Sequence, residues 1–378
     1  MQGPKVMAVF GTRPEAIKMC PLVKVLEKHT RCAVCVTGQH REMLRQAMAI
    51  FEVASDYDLD IMRPRQTLSE ITARVLLGME GVLKAERPDM VLVHGDTTTS
   101  FAAALAAFYA GIPVGHVEAG LRTETILSPF PEELNRRLTG RIAAMHFAPT
   151  QLAAENLRRE GIWQGVHVTG NTVIDALRYT VREHYAFRAD ALQTLDLRGR
   201  VVLVTAHRRE NLGAPLQNIC EAVLALAERH PDVRFVFPVH PNPAVGCMVR
   251  RMLGAHPRVC LTAPLDVMDM HNLLARAYLT LTDSGGLQEE APALGAPVVV
   301  LRTETERPEA IESGTAVLAG VDTRAIVEIA GRLLSSEAAH ESMRKAVSPY
   351  GDGHASERIL AHILALGGEA ERPGQALS

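Results

Sequence analysis

The chain has 378 residues, 47% of them apolar and 22% charged, a composition typical of a folded protein with two sizeable domains. Its 40 basic and 43 acidic residues give a net charge of −3, which argues against broad attraction to nucleic acid or anionic membranes. The sequence shows neither an apolar run of membrane-spanning length nor a secretory signal, so we expect a cytoplasmic protein. Its histidines and cysteines show no zinc-binding spacing, and no protein-held metal is expected.

Short β-branched runs alternate with longer helical patterns along almost the whole chain. The first strand-like run, 6–10, is followed by a helix that begins at Pro14. Further strand-like runs lie at 33–36, 90–93, 113–117, 145–148, 201–205, 235–239, 259–261, 278–282 and 297–301. Helical patterns between them include 98–110, 216–229 and 287–294. This alternation predicts α/β domains in which helices cover both faces of parallel sheets.

The predicted strands fall into two similar halves of five or six each, so we predict two doubly wound domains, 1–170 and 171–354. Ligands of such sheets bind beyond the carboxyl ends of the strands, which places the expected site in a cleft between the domains. The first strand is not followed by G-x-G-x-x-G, and no phosphate-binding G-x-x-x-x-G-K-[ST] occurs. A nicotinamide dehydrogenase and a P-loop enzyme are therefore disfavoured.

Basic residues surround the start of the first helix. Gly11 permits a tight exit from the strand, Pro14 is suited to the first helical turn, and Arg13 and Lys18 lie near the positive end of the helix. This arrangement suits an anionic ligand such as a diphosphate. A plain strand–helix turn with solvated basic residues is the alternative.

Three carboxylates of the first half follow strands or begin helices. Asp96 and Glu118 each follow an apolar run, and Glu132 begins a helix. Asp96 has an alternative role as the cap of helix 98–110, and Glu132 has one in a surface pair with Arg136 at i+4. Carboxylates that converge on one set of strand ends suit acid–base chemistry, because like charges shift each other's pKa.

The second half contains residues suited to a nucleoside diphosphate. His207 ends a strand, and Ser284-Gly285-Gly286 begins a helix with backbone N–H groups that are available to a phosphate. Glu290, one to two turns into that helix, is placed to accept the hydroxyls of a ribose, and Arg307 adds a guanidinium. Many helices begin with Ser-Gly-Gly, so it is the combination that favours a nucleotide pocket.

In this order the motifs closely resemble those of the non-hydrolysing UDP-N-acetylglucosamine 2-epimerases. The resemblance includes TGQHREM at 37–43, HVEAGLR at 116–122, HRREN at 207–211 and DSGGLQEE at 283–290. It implies the GT-B architecture, two Rossmann-like domains facing an interdomain cleft, with a final helix at about 355–368 that crosses back to the first domain. It also implies an enzyme that needs neither a nicotinamide cofactor nor a metal, and a homodimer.

The resemblance implies a reaction and the residues that perform it. The reaction is reversible C2 epimerisation of UDP-GlcNAc to UDP-ManNAc for surface polysaccharide synthesis, by elimination of UDP and its re-addition to a 2-acetamidoglucal. The implied catalytic residues are Asp96, Glu118, Glu132, His207 and Lys18. The implied UDP-sugar-binding residues are Arg13, Arg136, Ser284, Gly285, Gly286, Glu290 and Arg307.

The resemblance also implies a second UDP-GlcNAc that acts as an allosteric activator. The matching residues are Gln39, His40, Glu42 and Arg65, and Glu42 stands where some activated relatives carry Gln. Three alternative functions remain: a GT-B glycosyltransferase that uses a UDP-sugar, a hydrolysing 2-epimerase that releases ManNAc, and a non-catalytic nucleotide-sugar sensor. A glycosyltransferase usually needs one base, whereas three carboxylates suit proton transfer on both faces of a sugar.

Overall fold

The computed structural model describes residues 3–38, 41–63 and 65–369. The chain divides into two compact units: unit 1 contains Met1–Tyr179 and Tyr350–Ser378, and unit 2 contains Thr180–Pro349. None of the helices in the described ranges is both long and apolar enough to cross a membrane.

The strands of each unit form one parallel sheet. Their bounds are β1 (Lys5–Phe10), β2 (Arg31–Val36), β3 (Tyr57–Asp58), β4 (Met90–His94), β5 (Val114–Val117), β6 (Met145–Ala148), β7 (Val166–Val168), β8 (Arg200–Thr205), β9 (Val233–Pro238), β10 (Val259–Thr262), β11 (Leu279–Thr282), β12 (Val298–Val300) and β13 (Ala316–Leu318). The order is β3-β2-β1-β4-β5-β6-β7 in unit 1 and β10-β9-β8-β11-β12-β13 in unit 2. Both orders are of the Rossmann type, in which the direction of strand addition reverses once within the sheet.

Helices connect the strands in chain order. Their bounds are α1 (Arg13–His29), α2 (Arg41–Ile50), α3 (Leu68–Glu86), α4 (Thr98–Tyr109), α5 (Glu132–Ile142), α6 (Gln151–Arg159), α7 (Thr172–Thr180), α8 (Asp190–Gln193), α9 (Ala214–Arg229), α10 (Pro243–Leu253), α11 (Val267–Leu274), α12 (Gly285–Ala293), α13 (Pro308–Glu312), α14 (Thr323–Ser335), α15 (Glu337–Arg344) and α16 (Ala355–Glu369). A 3₁₀ turn, Arg209–Asn211, precedes α9.

Both faces of the unit 1 sheet are buried. Along β1, Val6 and Phe10 pack into the core that contains α1 and α16, whereas Met7 and Val9 pack into the core that contains α3 and α4. In unit 2, a core forms around β8, β9 and β11 and the helices α9 and α14. Successive residues of such a strand point to opposite faces, and both faces are buried. The strand is therefore a continuous apolar run in the sequence.

The boundary between the units differs from the predicted domain limit at residue 170. The N–H of Asn171 donates to the carbonyl of Tyr350 (2.8 Å), and the carboxylate of Asp175 accepts from the N–H groups of Ala355 (3.1 Å) and Ser356 (2.7 Å). These bonds tie α7 to the start of α16, which itself packs on α1. The residues of α7 as far as Tyr179 therefore belong to unit 1.

Three short strands do not appear in the sequence prediction. β3 has two residues, and β7 and β13 have three each. Runs of that length are too short to show a periodic pattern. The described residues of unit 1 therefore form seven strands, one or two more than predicted.

Candidate active site

In each unit, residues of the candidate site lie where the strand order reverses. In unit 1, Gly11 follows β1 and Asp96 lies just beyond β4; in unit 2, His207 lies just beyond β8 and Asp283 follows β11. β1 pairs with β4, and β8 pairs with β11. The carboxyl end of such a reversal is where doubly wound sheets bind ligands.

The first turn of α1 is built by a capping box. Thr12 is the N-cap, its Oγ1 accepts from the N–H of Glu15 (3.4 Å), and Glu15 Oε2 accepts from the N–H groups of Gly11 (3.0 Å) and Thr12 (2.7 Å). A Cβ at Gly11 would lie 2.1 Å from Thr37 Oγ1, so this close approach requires glycine. The side chain of Arg13 forms no hydrogen bond or ion pair with any described residue. Its guanidinium at the positive end of α1 suits an anionic ligand.

Glu118 is held by side chains from three parts of unit 1. Its Oε1 forms an ion pair with the Lys18 ammonium group and accepts from Asn171 Nδ2 (2.9 Å), and its Oε2 lies 3.6 Å from His94 Nε2. The φ angle of Glu118 is +60°, a left-handed conformation that is uncommon for a residue with a side chain. Such conformations concentrate at functional sites. Asn171 is a site residue that sequence analysis missed.

Asp96 lies beside Glu118 in a partly buried, polar environment. Its carboxylate forms an ion pair with Arg136, which also lies 3.2 Å from Glu133 Oε2, and Asn135 Nδ2 donates to the Asp96 carbonyl (3.0 Å). Burial raises the pKa of the Asp96 carboxyl above its usual value; Arg136 opposes this shift and Glu118 adds to it. A raised pKa suits a carboxyl that exchanges a proton near neutral pH.

The capping alternative for Asp96 is wrong. The N-cap of α4 is Thr97, whose Oγ1 accepts from the N–H of Ser100 (3.1 Å) and donates to Glu15 Oε1 (2.7 Å). A Cβ at Gly95 would lie 3.3 Å from Glu118 Oε2, which shows how closely the segment that carries Asp96 approaches the second carboxylate.

The predicted pair between Glu132 and Arg136 is also wrong. Arg136 pairs with Asp96 and with Glu133, which is fully buried and also accepts from Arg137 Nε (2.6 Å). Glu132 is the first residue of α5, and its carboxylate forms no hydrogen bond or ion pair with any described residue. The structure thus brings Asp96 and Glu118 together, and the catalytic role of Glu132 stays a prediction.

In unit 2, Asp283 orients His207. His207 Nδ1 lies 2.9 Å from Asp283 Oδ1, and Oδ2 accepts from the N–H groups of His207 (2.8 Å) and Arg208 (2.9 Å) and from Asn211 Nδ2 (3.0 Å). Burial acts to raise the pKa of Asp283, but the contacts with His207 and the N–H groups outweigh it, so the pKa lies below its usual value. The buried carboxylate therefore stays ionised and fixes the ring, 41% of whose side chain is exposed. Sequence analysis did not assign Asp283, although an acid directly after a strand was the signal.

A cavity of about 240 Å³ adjoins His207. Leu265, Met270 and Leu287 form apolar walls, and the ring of His240 stacks on that of His207 with centroids 5.8 Å apart. Apolar walls with a few polar groups are typical of small-molecule sites. A larger cavity of about 570 Å³ lies between α3 and α4, but it is remote from the strand ends that carry the polar clusters.

The first turn of α12 brings the remaining predicted residues of unit 2 together. Ser284 is its N-cap without a side-chain capping bond, and a Cβ at Gly285 would lie 3.3 Å from Arg307 Cζ. A Cβ at Gly286 would lie 3.2 Å from Glu290 Oε1. The two glycines therefore leave bare backbone beside a guanidinium and a carboxylate. Backbone N–H groups at a helix start together with Arg307 suit a diphosphate.

Arg307 is itself held by carboxylates. Its Nε donates to Glu289 Oε1 (2.8 Å), which is buried, and its Nη1 donates to Glu306 Oε2 (3.1 Å). These bonds fix the guanidinium next to Gly285.

The predicted activator residues are only partly described. Gln39 and His40 lie outside the described residues. Glu42 is exposed in the first turn of α2 and accepts from Gln46 Nε2 (3.1 Å), and Arg65 is exposed with a φ of +60°. The activator site stays a prediction.

His116 beneath the unit 1 site makes stability depend on pH. It is fully buried in β5, its Nε2 lies 2.7 Å from the carbonyl of Gly95, and burial lowers its pKa to about 3. In the unfolded chain a histidine titrates near pH 6.5. As the pH falls through that value, His116 takes up a proton in the unfolded chain but stays neutral in the folded protein. The free energy of unfolding should therefore decrease as the pH is lowered, by about 3 kcal/mol from pH 7 to pH 4.

Urea denaturation of the wild type and His116→Gln at several pH values checks this expectation. The amide of Gln retains a donor for the Gly95 carbonyl and does not titrate in this range. We expect the wild type to lose about 3 kcal/mol more than the variant between pH 7 and pH 4. If the free energy of unfolding depended on pH in the same way in both proteins, His116 would not be the source of the loss.

The whole chain matches proteins of one family. The family model for UDP-N-acetylglucosamine 2-epimerase matches residues 24–364. A protein of Thermotoga maritima is 57% identical over 372 residues, 98% of both chains, and the UDP-N-acetylglucosamine 2-epimerase of Bacillus subtilis is 52% identical over 365 residues, 95% of both chains. The structure of UDP-GlcNAc 2-epimerase from Neisseria meningitidis bound to UDP-GlcNAc has a TM-score of 0.84 and 46% identity, covering 96% of this chain and all of that one.

These matches and the two Rossmann-like sheets confirm the predicted GT-B fold class. The motifs at 116–122, 207–211 and 283–290, which suggested the resemblance, begin at or near the carboxyl ends of β5, β8 and β11. The chain belongs to the UDP-N-acetylglucosamine 2-epimerase family.

Proposed function

We propose that this protein interconverts UDP-GlcNAc and UDP-ManNAc without hydrolysis, by eliminating UDP and adding it back to a 2-acetamidoglucal. The observation that carries the proposal is the pair of adjacent carboxylates Asp96 and Glu118. They lie at the carboxyl ends of neighbouring strands and have different partners, Arg136 and Lys18 respectively. Proton exchange at a sugar carbon needs a group that accepts a proton and a group that supplies one.

The reaction balances with these groups. A carboxylate removes the C2 proton, the C2–H electron pair forms the C1=C2 bond, and the C1–O pair leaves with the diphosphate of UDP. In the return step a carboxyl supplies a proton to the opposite face of C2, and a diphosphate oxygen attacks C1. Asp96 is suited to supply a proton because burial raises its pKa. Glu118, whose carboxylate is paired with the Lys18 ammonium group, is the proposed acceptor. Glu132 completes the proposed set of carboxyl groups.

Unit 2 would hold the nucleotide. The helix start at Gly285 and Gly286 and the fixed guanidinium of Arg307 suit the diphosphate, and His207 lies at the neighbouring strand end. Glu290 would accept the ribose hydroxyls. The relative from Neisseria meningitidis, which is described as bound to UDP-GlcNAc, supports the choice of substrate.

Arg13, Lys18 and Arg136 would supply positive charge from unit 1. Arg13 stands at the positive end of α1, whereas Lys18 and Arg136 are already paired with the two carboxylates. On the strength of the resemblance, the proposal includes a homodimer, a role in polysaccharide synthesis and activation by a second UDP-GlcNAc. It also includes the cytoplasmic location that was predicted from the sequence.

Incubation with UDP-GlcNAc in heavy water tests the reaction. We expect UDP-ManNAc to form, with deuterium at C2 in the substrate and product pools, because a carboxyl that has exchanged with solvent reprotonates C2. Mass spectrometry and NMR measure both. Free ManNAc with UDP would indicate hydrolysis instead, and retention of the original hydrogen at C2 would contradict the elimination mechanism. Product formation only when an acceptor is added would favour a glycosyltransferase.

A further inference from the structure

A buried histidine of α11 contacts the carboxylate of Glu290. His271 on α11 is 2% exposed; its Nε2 lies 3.2 Å from Glu290 Oε2, and its Nδ1 lies 2.7 Å from Thr180 Oγ1. One ring nitrogen therefore lies within ion-pair distance of a carboxylate, and the other is hydrogen-bonded to a hydroxyl. No role was predicted for His271 from the sequence.

The position of the hydrogen on the ring follows from the chemistry of the two contacting groups. An ionised carboxylate only accepts, so His271 Nε2 carries the hydrogen that points at Glu290. In a neutral ring Nδ1 is then an acceptor, and the Thr180 hydroxyl donates to it. The hydroxyl therefore selects the tautomer that can bind Glu290.

The surroundings keep His271 in place. Asn272 Nδ2 donates to the carbonyl of Thr180 (2.7 Å) and to that of Met268 (2.8 Å), which ties α11 to Thr180, the first residue of unit 2. The Glu290 side chain is 14% exposed, so it is accessible to a ligand, whereas His271 is not. His271 can influence a ligand only through Glu290.

We propose that His271 is a positioning residue that turns Glu290 toward the ribose and so makes the protein selective for ribonucleotides over deoxyribonucleotides. The inference rests on the proposed role of Glu290 as the ribose-binding group. With Oε2 engaged by His271, Oε1 remains directed toward Gly286 at the start of α12. A nucleotide that lacks the 2′-hydroxyl would not supply the hydrogen bond that this carboxylate is proposed to accept. A hydrogen bond to a charged group contributes about 1.5–3 kcal/mol, which corresponds to a preference of about 10- to 100-fold.

Two substitutions of His271 separate positioning from packing. The side-chain nitrogen of Gln reaches the position of Nε2, whereas that of Asn reaches only the position of Nδ1. Calorimetry would measure the Kd of UDP and of 2′-deoxy-UDP for the wild type, His271→Gln, His271→Asn and Glu290→Gln. We expect a preference for UDP of about 10- to 100-fold in the wild type, retained within about threefold in His271→Gln and lost in His271→Asn and Glu290→Gln. In steady-state assays His271→Asn should raise KM for UDP-GlcNAc more than it lowers kcat.

The outcomes distinguish the inference from the proposal beneath it. If Glu290→Gln loses the preference and His271→Asn keeps it, Glu290 binds ribose without help from His271 and the inference is wrong. If Glu290→Gln keeps the preference, the proposed ribose-binding role fails. Equal loss in His271→Gln and His271→Asn would mean that only the shape of the imidazole matters, which also overturns the inference.

Thr180→Val provides a second route if a His271 variant does not fold. Valine keeps the shape of threonine and removes the hydroxyl that donates to Nδ1. A free choice of tautomer should reduce the preference for UDP by about threefold or more. An unchanged preference in this variant would contradict the tautomer argument.

Discussion

Asp96→Asn is expected to lower the rate of epimerisation by about 10²- to 10⁴-fold, because the amide cannot exchange a proton with the sugar. The fold should change little. Asn keeps an acceptor oxygen for Arg136, which also remains paired with Glu133, and α4 is capped by Thr97. We therefore expect the free energy of unfolding to remain within about 1 kcal/mol of the wild-type value. Measurements of kcat/KM and urea denaturation of the same preparations test both parts.

Thr97→Ala is the matched control. It removes the cap of α4 and the hydrogen bond to Glu15, so it should lower the free energy of unfolding by about 1–2 kcal/mol. At a temperature where it remains folded, it should be far more active than Asp96→Asn. If Asp96→Asn is instead the less stable variant and recovers activity under stabilising conditions, the capping role of Asp96 must be reconsidered.

The positions of the main site residues could be predicted because they follow apolar runs. Asp96, Glu118 and His207 each lie at the end of a strand, and parallel strands gather such residues at one edge of the sheet. The capping box of Thr12 and Glu15 was not predicted, although Thr and Glu three positions apart before an apolar stretch are its local signal. These are local patterns, which a single sequence contains.

The partners of those residues could not be predicted, because they are distant in sequence. Asn171 is 53 residues from Glu118, and Asp283 is 76 residues from the backbone N–H of His207. No periodicity relates such positions, and only packing of the sheet brings them together. The left-handed conformation of Glu118 was equally hidden, since that conformation is rare for residues other than glycine, asparagine and aspartate.

The start of α5 shows how a local pattern can mislead. Glu132 and Glu133 both offer a carboxylate to Arg136, at i+4 and i+3, and either spacing suits a helix pair. Burial decides between them. Glu133 points into unit 1, where it is fully buried and accepts from the N–H of Thr123 (3.1 Å) as well as from Arg137. Arg136 therefore pairs with Glu133, the buried carboxylate, and not with Glu132.

Glu133→Gln is expected to lower the free energy of unfolding by about 3 kcal/mol. Removal of one partner of a buried ion pair leaves the other charge uncompensated. Here the new amide also presents a donor toward Arg136 and Arg137, which are donors themselves. Urea denaturation measures the loss. Activity per folded molecule should fall less than in Asp96→Asn, since Glu133 reaches the reacting groups only through Arg136.

Glu132→Gln tests the neighbouring carboxylate with the same chemical change. Glu132 has no ion pair with a described residue, so its free energy of unfolding should stay within about 0.5 kcal/mol of the wild-type value. If it takes part in proton transfer, its rate should fall by about 10²- to 10⁴-fold. Stability lost at 133 and activity lost at 132 would assign one carboxylate to the fold and the other to the reaction. Full activity in Glu132→Gln would restrict the acid–base groups to Asp96 and Glu118, and unchanged stability in Glu133→Gln would mean that Arg136 and Arg137 regain water when their buried partner is lost.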